Sequence, residues 1–233
     1  MDSRNGLDEL LRTTPLLWRG RRPQTTESTA IPTGFPELDH ALPEGGWPFP
    51  ALMEVSVPAW GIGELRLLLP AMRHVQGSGK RLAWIAPPYL PYAPALVDAG
   101  IDLGRLLLLD RISNDKDIWW SAEKLLRSTA CGMVLIWPRK SSPFPVLRRL
   151  QLAATEGCCL GALLSPDLPV GTPAALRLRL EPAEQGLWVH ILKARGIPLA
   201  NAVLLGGSRH SAVPAMHSQP DVQGCRAKSV LAG

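Results

Sequence analysis

The stretch Pro58-Ala59-Trp60-Gly61-Ile62-Gly63-Glu64-Leu65 constrains this chain more than any other. It keeps the outline of a phosphate-binding loop, G-x-x-x-x-G-K-[ST]. In such a loop backbone N–H groups converge on phosphates, a Lys adds positive charge and a hydroxyl holds Mg²⁺. The apolar run 51–57 reads as the strand entering the loop, and residues 65–72 as the helix leaving it. The Lys position holds Glu64 and the hydroxyl position holds Leu65. A carboxylate about 4 Å from a phosphate oxygen repels it by about 1 kcal/mol in water, and by about 4 kcal/mol at an effective dielectric of 20. Losing the Lys removes a comparable attraction, and Leu cannot ligate a metal. At about 1.4 kcal/mol per factor of ten, affinity falls by several powers of ten. The expectation is the shape of a nucleotide-binding fold without its activity. Gly61, Gly63, Glu64 and Leu65 then form a degenerate loop that holds no nucleotide or metal, and the chain needs no cofactor and is not an enzyme.

Strands and helices alternate along most of the chain. Strands are expected at 51–57, 81–86, 106–110, 133–137 and 159–164, and helices at 63–75, 94–100, 119–128 and 145–155. Fully apolar strands separated by helices predict a mostly parallel sheet flanked by helices, with the 106–110 strand buried like the rest. Leu176-Arg177-Leu178-Arg179-Leu180 and Leu187-Trp188-Val189-His190-Ile191 alternate strictly around a turn, which predicts a C-terminal antiparallel hairpin with one wet face. Ahead of this domain, taken as 30–206, residues 1–29 read as a short helix and linker: the helix, stopped by Pro15, carries Leu7, Leu10 and Leu11 on one face, and Trp18 with the basic Arg19, Arg21 and Arg22 follows it. A helix this short is marginal in water unless it docks on something. The segment 207–233, rich in Ser, Gly, Pro and Gln, reads as a disordered tail.

The net charge of +5 is a mild basic bias spread over small clusters, so DNA contact is expected to be weak or indirect. The polar N-terminus does not read as a signal peptide and the apolar runs are too short to span a bilayer, so the expected location is cytoplasmic. The four cysteines form no C-x-x-C pair and read as free thiols. The five histidines are scattered, with no nucleophile or carboxylate constellation beside them.

Ile31-Pro32-Thr33-Gly34-Phe35-Pro36-Glu37-Leu38-Asp39-His40-Ala41-Leu42, followed by Gly45-Gly46-Trp47-Pro48, resembles the T-G-x-x-x-L-D-x-x-L-x-x-G-G signature ahead of the phosphate loop in the RecA superfamily. Within it, the wording of 61–70, of 86–96 (Ala-Pro-Pro-Tyr-Leu-Pro-Tyr-Ala-Pro-Ala-Leu) and of 148–154 resembles the ImuA family of RecA-like proteins associated with translesion DNA synthesis. The resemblance covers roughly residues 30–200 and implies a RecA-like core. It also implies a non-catalytic adaptor role in SOS-induced, error-prone synthesis. The implied partners are an ImuB-like Y-family polymerase homologue, an error-prone C-family DNA polymerase and RecA itself. Where RecA-type ATPases carry a catalytic Glu, this chain has Ala86-Pro87-Pro88, and the acidic residue ending the Walker B strand is replaced by Trp137-Pro138. Positioning and charge stabilisation for phosphoryl transfer are thereby missing together.

Lys193 and Arg195 resemble the basic pair that reaches a neighbour's phosphates in RecA filaments, and here read as a vestige or an interface pair. Leu7, Leu10, Leu11, Trp18, Arg19, Arg21 and Arg22 are the other candidate contacts. Asp39 is expected to brace the opening helix, and the Pro-rich run 87–92 reads either as a partner-binding loop or as a stiff connection. Three functional classes stay open on sequence. They are the translesion adaptor, an SOS-induced inhibitor of cell division resembling SulA (another RecA-like domain without nucleotide chemistry), and a working RecA-type ATPase.

Overall fold

The apolar runs do become strands. In the computed structural model, which describes residues 30–206 apart from 113, 170 and 196, these are β1 (Ala51–Ser56), β2 (Arg81–Ile85), β3 (Leu106–Leu109), β4 (Cys131–Ile136) and β5 (Leu160–Ser165). Three more follow, β6 (Leu176–Ala183), β7 (Gly186–Ala194) and β8 (Ile197–Gly206). The helices are α1 (Pro36–Ala41), α2 (Glu64–Gly77), α3 (Ala93–Asp98), α4 (Asp115–Arg127) and α5 (Phe144–Glu156). All eight strands join one sheet in the order β3-β2-β4-β5-β1-β6-β7-β8. Strands β1 to β6 run parallel, and β7 and β8 each pair antiparallel with the strand before them. The mixed α/β class, with a mostly parallel sheet flanked by helices and a C-terminal antiparallel hairpin, is therefore the fold.

Because side chains alternate across a strand, β1, β2 and β4 each feed two cores. Met53, Val55, Leu82, Trp84, Met133 and Leu135 face the side covered by Leu38 of α1 and Leu67, Leu68 and Met72 of α2. Leu52, Ala83, Ile85, Val134 and Ile136 face Ile118, Ala122 and Leu126 of α4 and Leu147, Leu150 and Ala153 of α5. The opening motif is locked by short-range bonds: Asp39 Oδ1 accepts the Thr33 N–H at 3.0 Å, the bracing role expected of it. Gly34 sits at φ +83°, and a Cβ there would lie 2.4 Å from Cβ of Pro70, a proline inside α2. The shape of this corner thus needs a residue without a side chain.

Four expectations change. Helix α4 begins at Asp115 rather than 119, because the Asn114 side chain accepts the Asp117 N–H at 2.9 Å and caps it. Strand β3 is not buried like its neighbours; it is the sheet edge, and Leu107 is 46% exposed. The hairpin is extended by β8, which the irregular run Ile197-Pro198-Leu199-Ala200-Asn201 concealed as a strand. Cys131 and Cys159 are free and buried, whereas Cys158 is disulfide-bonded, against the expectation of free thiols throughout. The expected short helix and linker of 1–29 and the tail of 207–233 lie outside the described residues.

Candidate functional site

Residues 58–63 leave the end of β1 and turn into α2 as a phosphate loop does. Gly61 and Gly63 adopt φ of +87° and +114°, a region that costs other L-residues about 1 kcal/mol or more. Their N–H groups face inward, as the glycine spacing predicts, but they do not face an empty cradle. Glu64 folds its carboxylate back over them: the Gly61 N–H donates to both oxygens at 3.0 and 3.1 Å, and the Gly63 N–H donates to Oε2 at 3.2 Å. Glu64 is buried at 6% exposure. No side chain of Gly63 can cap α2, so the Glu64 carboxylate also stands at the positive end of the helix dipole. Leu65 packs against the core with Trp60 and Ile62. The repulsion anticipated from Glu64 is only half of its effect, because the same carboxylate satisfies the donors that phosphates would use.

The other altered positions are also built into the interior. Trp137 leaves β4 buried and meets Trp84 of β2 edge-on, with ring centroids 5.6 Å apart. Ala86 takes φ +54° as the chain leaves β2, its N–H donating to the Leu109 carbonyl at 2.7 Å.

Lys193 and Arg195 do not join the loop. Leu187, at the start of β7, is the residue beside Gly63, and Lys193 lies six residues further along that strand, about 20 Å at ordinary strand rise. Lys193 Nζ donates to the Thr172 carbonyl at 2.8 Å. Arg195 forms a two-pronged pair with Glu44, Nη2 to Oε2 at 2.9 Å and Nε to Oε1. The remaining interaction candidates, Leu7, Leu10, Leu11, Trp18, Arg19, Arg21 and Arg22, lie outside the described residues.

A buried pair not foreseen as a site stands in the middle of the sheet. Glu54 of β1 is fully buried, and its Oε2 takes the Arg177 Nε–H at 3.2 Å from the neighbouring β6. Burial raises the Glu54 carboxyl above its ordinary 4.5, opposed by the Thr172 hydroxyl and the Arg177 and Lys193 charges. Arg177 also donates to the Pro169 carbonyl, so the pair fastens the loop ahead of β6 to the sheet. The signal was present in the sequence: a lone carboxylate within Ala-Leu-Met-Glu-Val-Ser demands a cation partner. Among the described residues no His, Cys, Asp and Glu cluster is arranged to hold a metal ion, and no helix is long and apolar enough to cross a membrane.

No family model matches the chain. Over 103 residues it is 31% identical to the cell division inhibitor SulA of Photorhabdus laumondii subsp. laumondii, a match covering 44% of this chain and 56% of that protein. The chain thus spans a little over half of that curated relative. Among solved structures it is similar to SulA from Pseudomonas aeruginosa at 25% identity, covering 51% of this chain and 98% of that one with a TM-score of 0.41. The similarity to SulA over part of the chain is one of sequence.

Proposed function

We propose that this chain is a non-catalytic, RecA-like binding protein of the SOS response that acts as SulA does, restraining cell division through contact with the tubulin-like division protein. The observation that carries the non-catalytic half is the Glu64 carboxylate seated on the Gly61 and Gly63 amides, which leaves a nucleotide phosphate neither charge nor donors there. The identity shared with the cell division inhibitor SulA supports the role in division. Overexpression in undamaged cells is the test: filamentation is expected, and normal division at full expression overturns this target. Calorimetry with Mg·ATP tests the first half separately, with micromolar uptake as the contrary result.

A second reading is favoured by one specific observation. The segment 86–96, which resembles the ImuA family, presents Tyr89, Leu90 and Tyr92 to solvent at 71%, 71% and 73% exposure. Three large apolar side chains on a Pro-stiffened connection form a ready contact surface at low entropic cost. In this reading the domain is a translesion adaptor, with an ImuB-like Y-family polymerase homologue, an error-prone C-family polymerase and RecA as partners. Loss of damage-induced mutagenesis on deletion, without filamentation on overexpression, selects it over the division inhibitor.

A further inference from the structure

Helices α4 and α5 lie side by side on one face of the sheet, and their outer surface carries an arrangement that neither functional reading uses. The Trp119-Trp120 pair divides at the helix surface: Trp119 is buried at 9% exposure in the core, while Trp120 stands 63% exposed. Lys116 and Lys124 are one turn to either side of it, so the three residues form a stripe at i, i+4, i+8. Helix α5 carries a second stripe at the same spacing, Phe144, Arg148 and Leu152, with Phe144 and Leu152 each 50% exposed. Ion pairs cross between the helices, Arg149 to Glu123 at 3.8 Å and Arg127 to Glu156 at 2.9 Å, and set them in parallel register. That register brings Trp120 level with the first turns of α5, where Phe144 and Arg148 sit. Among the described residues Lys116, Lys124 and Arg148 make no ion pair, while the carboxylates of Glu123 and Glu156 are already engaged by arginines.

From this surface we infer a docking site for an acidic amphipathic helix of a partner protein. Its apolar face would cover Trp120, Phe144 and Leu152, and its carboxylates would meet Lys116, Lys124 and Arg148. Large exposed aromatics ringed by uncompensated cations are the composition of an interface core and its rim. Nucleic acid fits less well. Asp117, Glu123 and Glu156 stand among the cations, and a phosphate backbone laid over them would meet repulsion at each. A peptide can place its own charges to avoid them. The inference rests on the chain being a partner-binding protein, but on neither target named above.

The test uses the full chain and a fluorescein-labelled eighteen-residue designed helix, with Leu and Phe on one face and Glu flanking them, followed by anisotropy. The controls are the same helix with Lys for Glu and a labelled single-stranded oligonucleotide. The acidic helix is expected to bind and the Lys version to fail. Trp120→Ala is expected to weaken binding about thirtyfold, as a hot-spot aromatic does. Lys116→Glu with Lys124→Glu should abolish it, while thermal unfolding of these surface variants stays within a few degrees of the parent. Equal binding of both helices, indifference to Trp120→Ala, no binding at all, or Trp120-dependent binding of the oligonucleotide above the peptide would each overturn the assignment. Because the probe is neither proposed target, a failure here leaves the filamentation and mutagenesis outcomes to be read independently.

Discussion

Replacing Glu64 by Ala tests whether the carboxylate truly completes the loop. The substitution leaves two buried-side donors, the Gly61 and Gly63 N–H groups, without their acceptor. A hydrogen bond to a charged group contributes about 1.5–3 kcal/mol net, and an anion at a helix N-terminus adds about 0.3–1 kcal/mol. The sum for a dry site would be about 3–7 kcal/mol. Gly61 is exposed, however, so water replaces the carboxylate at that donor and only the inner part of the loss survives. The expected cost is therefore about 2 kcal/mol for Ala, and about half of that for Gln, which keeps one carbonyl acceptor without the charge. In urea unfolding this should lower the midpoint at unchanged slope. In thermal unfolding it should lower Tm by about 4–8 °C for a domain of this size. Glu64→Lys should fall at least as far as Ala, because an ammonium cannot accept from either amide. A loss under about 0.5 kcal/mol for Ala, or Gln faring no better than Ala, would refute the idea that the loop is held by its own anion.

Other substitutions test the remaining parts of the fold. Gly34→Ala should destabilise by about 2 kcal/mol or more, since the new Cβ would lie 2.4 Å from Pro70 at a backbone angle that favours glycine; chemical unfolding within 0.5 kcal/mol of the parent counts against it. Gln76→Ala removes a reciprocal pair, Nε2 to the Asp102 carbonyl at 2.8 Å and the Asp102 N–H to Oε1 at 2.9 Å, and should cost about 2–3 kcal/mol, with faster amide exchange at Asp102. Glu54 titrates above its ordinary 4.5 in the folded protein, so the native state holds this proton more tightly than the unfolded chain. Its contribution to stability is full below pH 4.5 and is lost as pH rises through the folded value. Unfolding free energies of the parent and of Glu54→Gln, compared from pH 4.5 to 7, should shift steadily in the variant's favour; the opposite trend would show that the Arg177 charge dominates burial.

The order of strands and helices was legible because fully apolar strands and amphipathic helices differ in period, and only the positions where another force overrides that period were missed. Leu106-Leu107-Leu108-Leu109 has the composition of a central strand, yet among the described residues no further strand pairs with β3 and it forms the edge. Nothing local in four leucines encodes which side of a sheet is last. Strand β8 escaped for the opposite reason: Pro198 and Asn201 weaken its pattern, while its pairing with β7 supplies the stability that the sequence lacks. The start of α4 was readable from Asn114 and Asp117, a capping pair, but the two adjacent tryptophans drew the boundary inward.

At the candidate site the sequence established what was lost but not what replaced it. Lys-to-Glu at position 64 announces repulsion of phosphate in any structure, whereas the return of that carboxylate onto Gly61 and Gly63 depends on a side-chain torsion that no spacing rule encodes. The physical reason for the outcome lies in the backbone. Two glycines at positive φ point their amides into one small volume whether or not a ligand is bound, and donors left unpaired in a partly buried loop are costly. A chain that keeps this turn must therefore find acceptors for these donors, from water, a bound anion or a side chain of its own. Leu65, packed on the core, and Trp137, edge-on to Trp84, place apolar side chains where the resemblance to RecA-type ATPases implies a hydroxyl and a carboxylate. The Glu64 carboxylate, bonded to Gly61 and Gly63 at the start of α2, ties the turn between β1 and α2 to itself. Among the described residues, the large side chains that stand exposed lie away from it, at Tyr89 and Tyr92 in 86–96 and at Trp120 of α4.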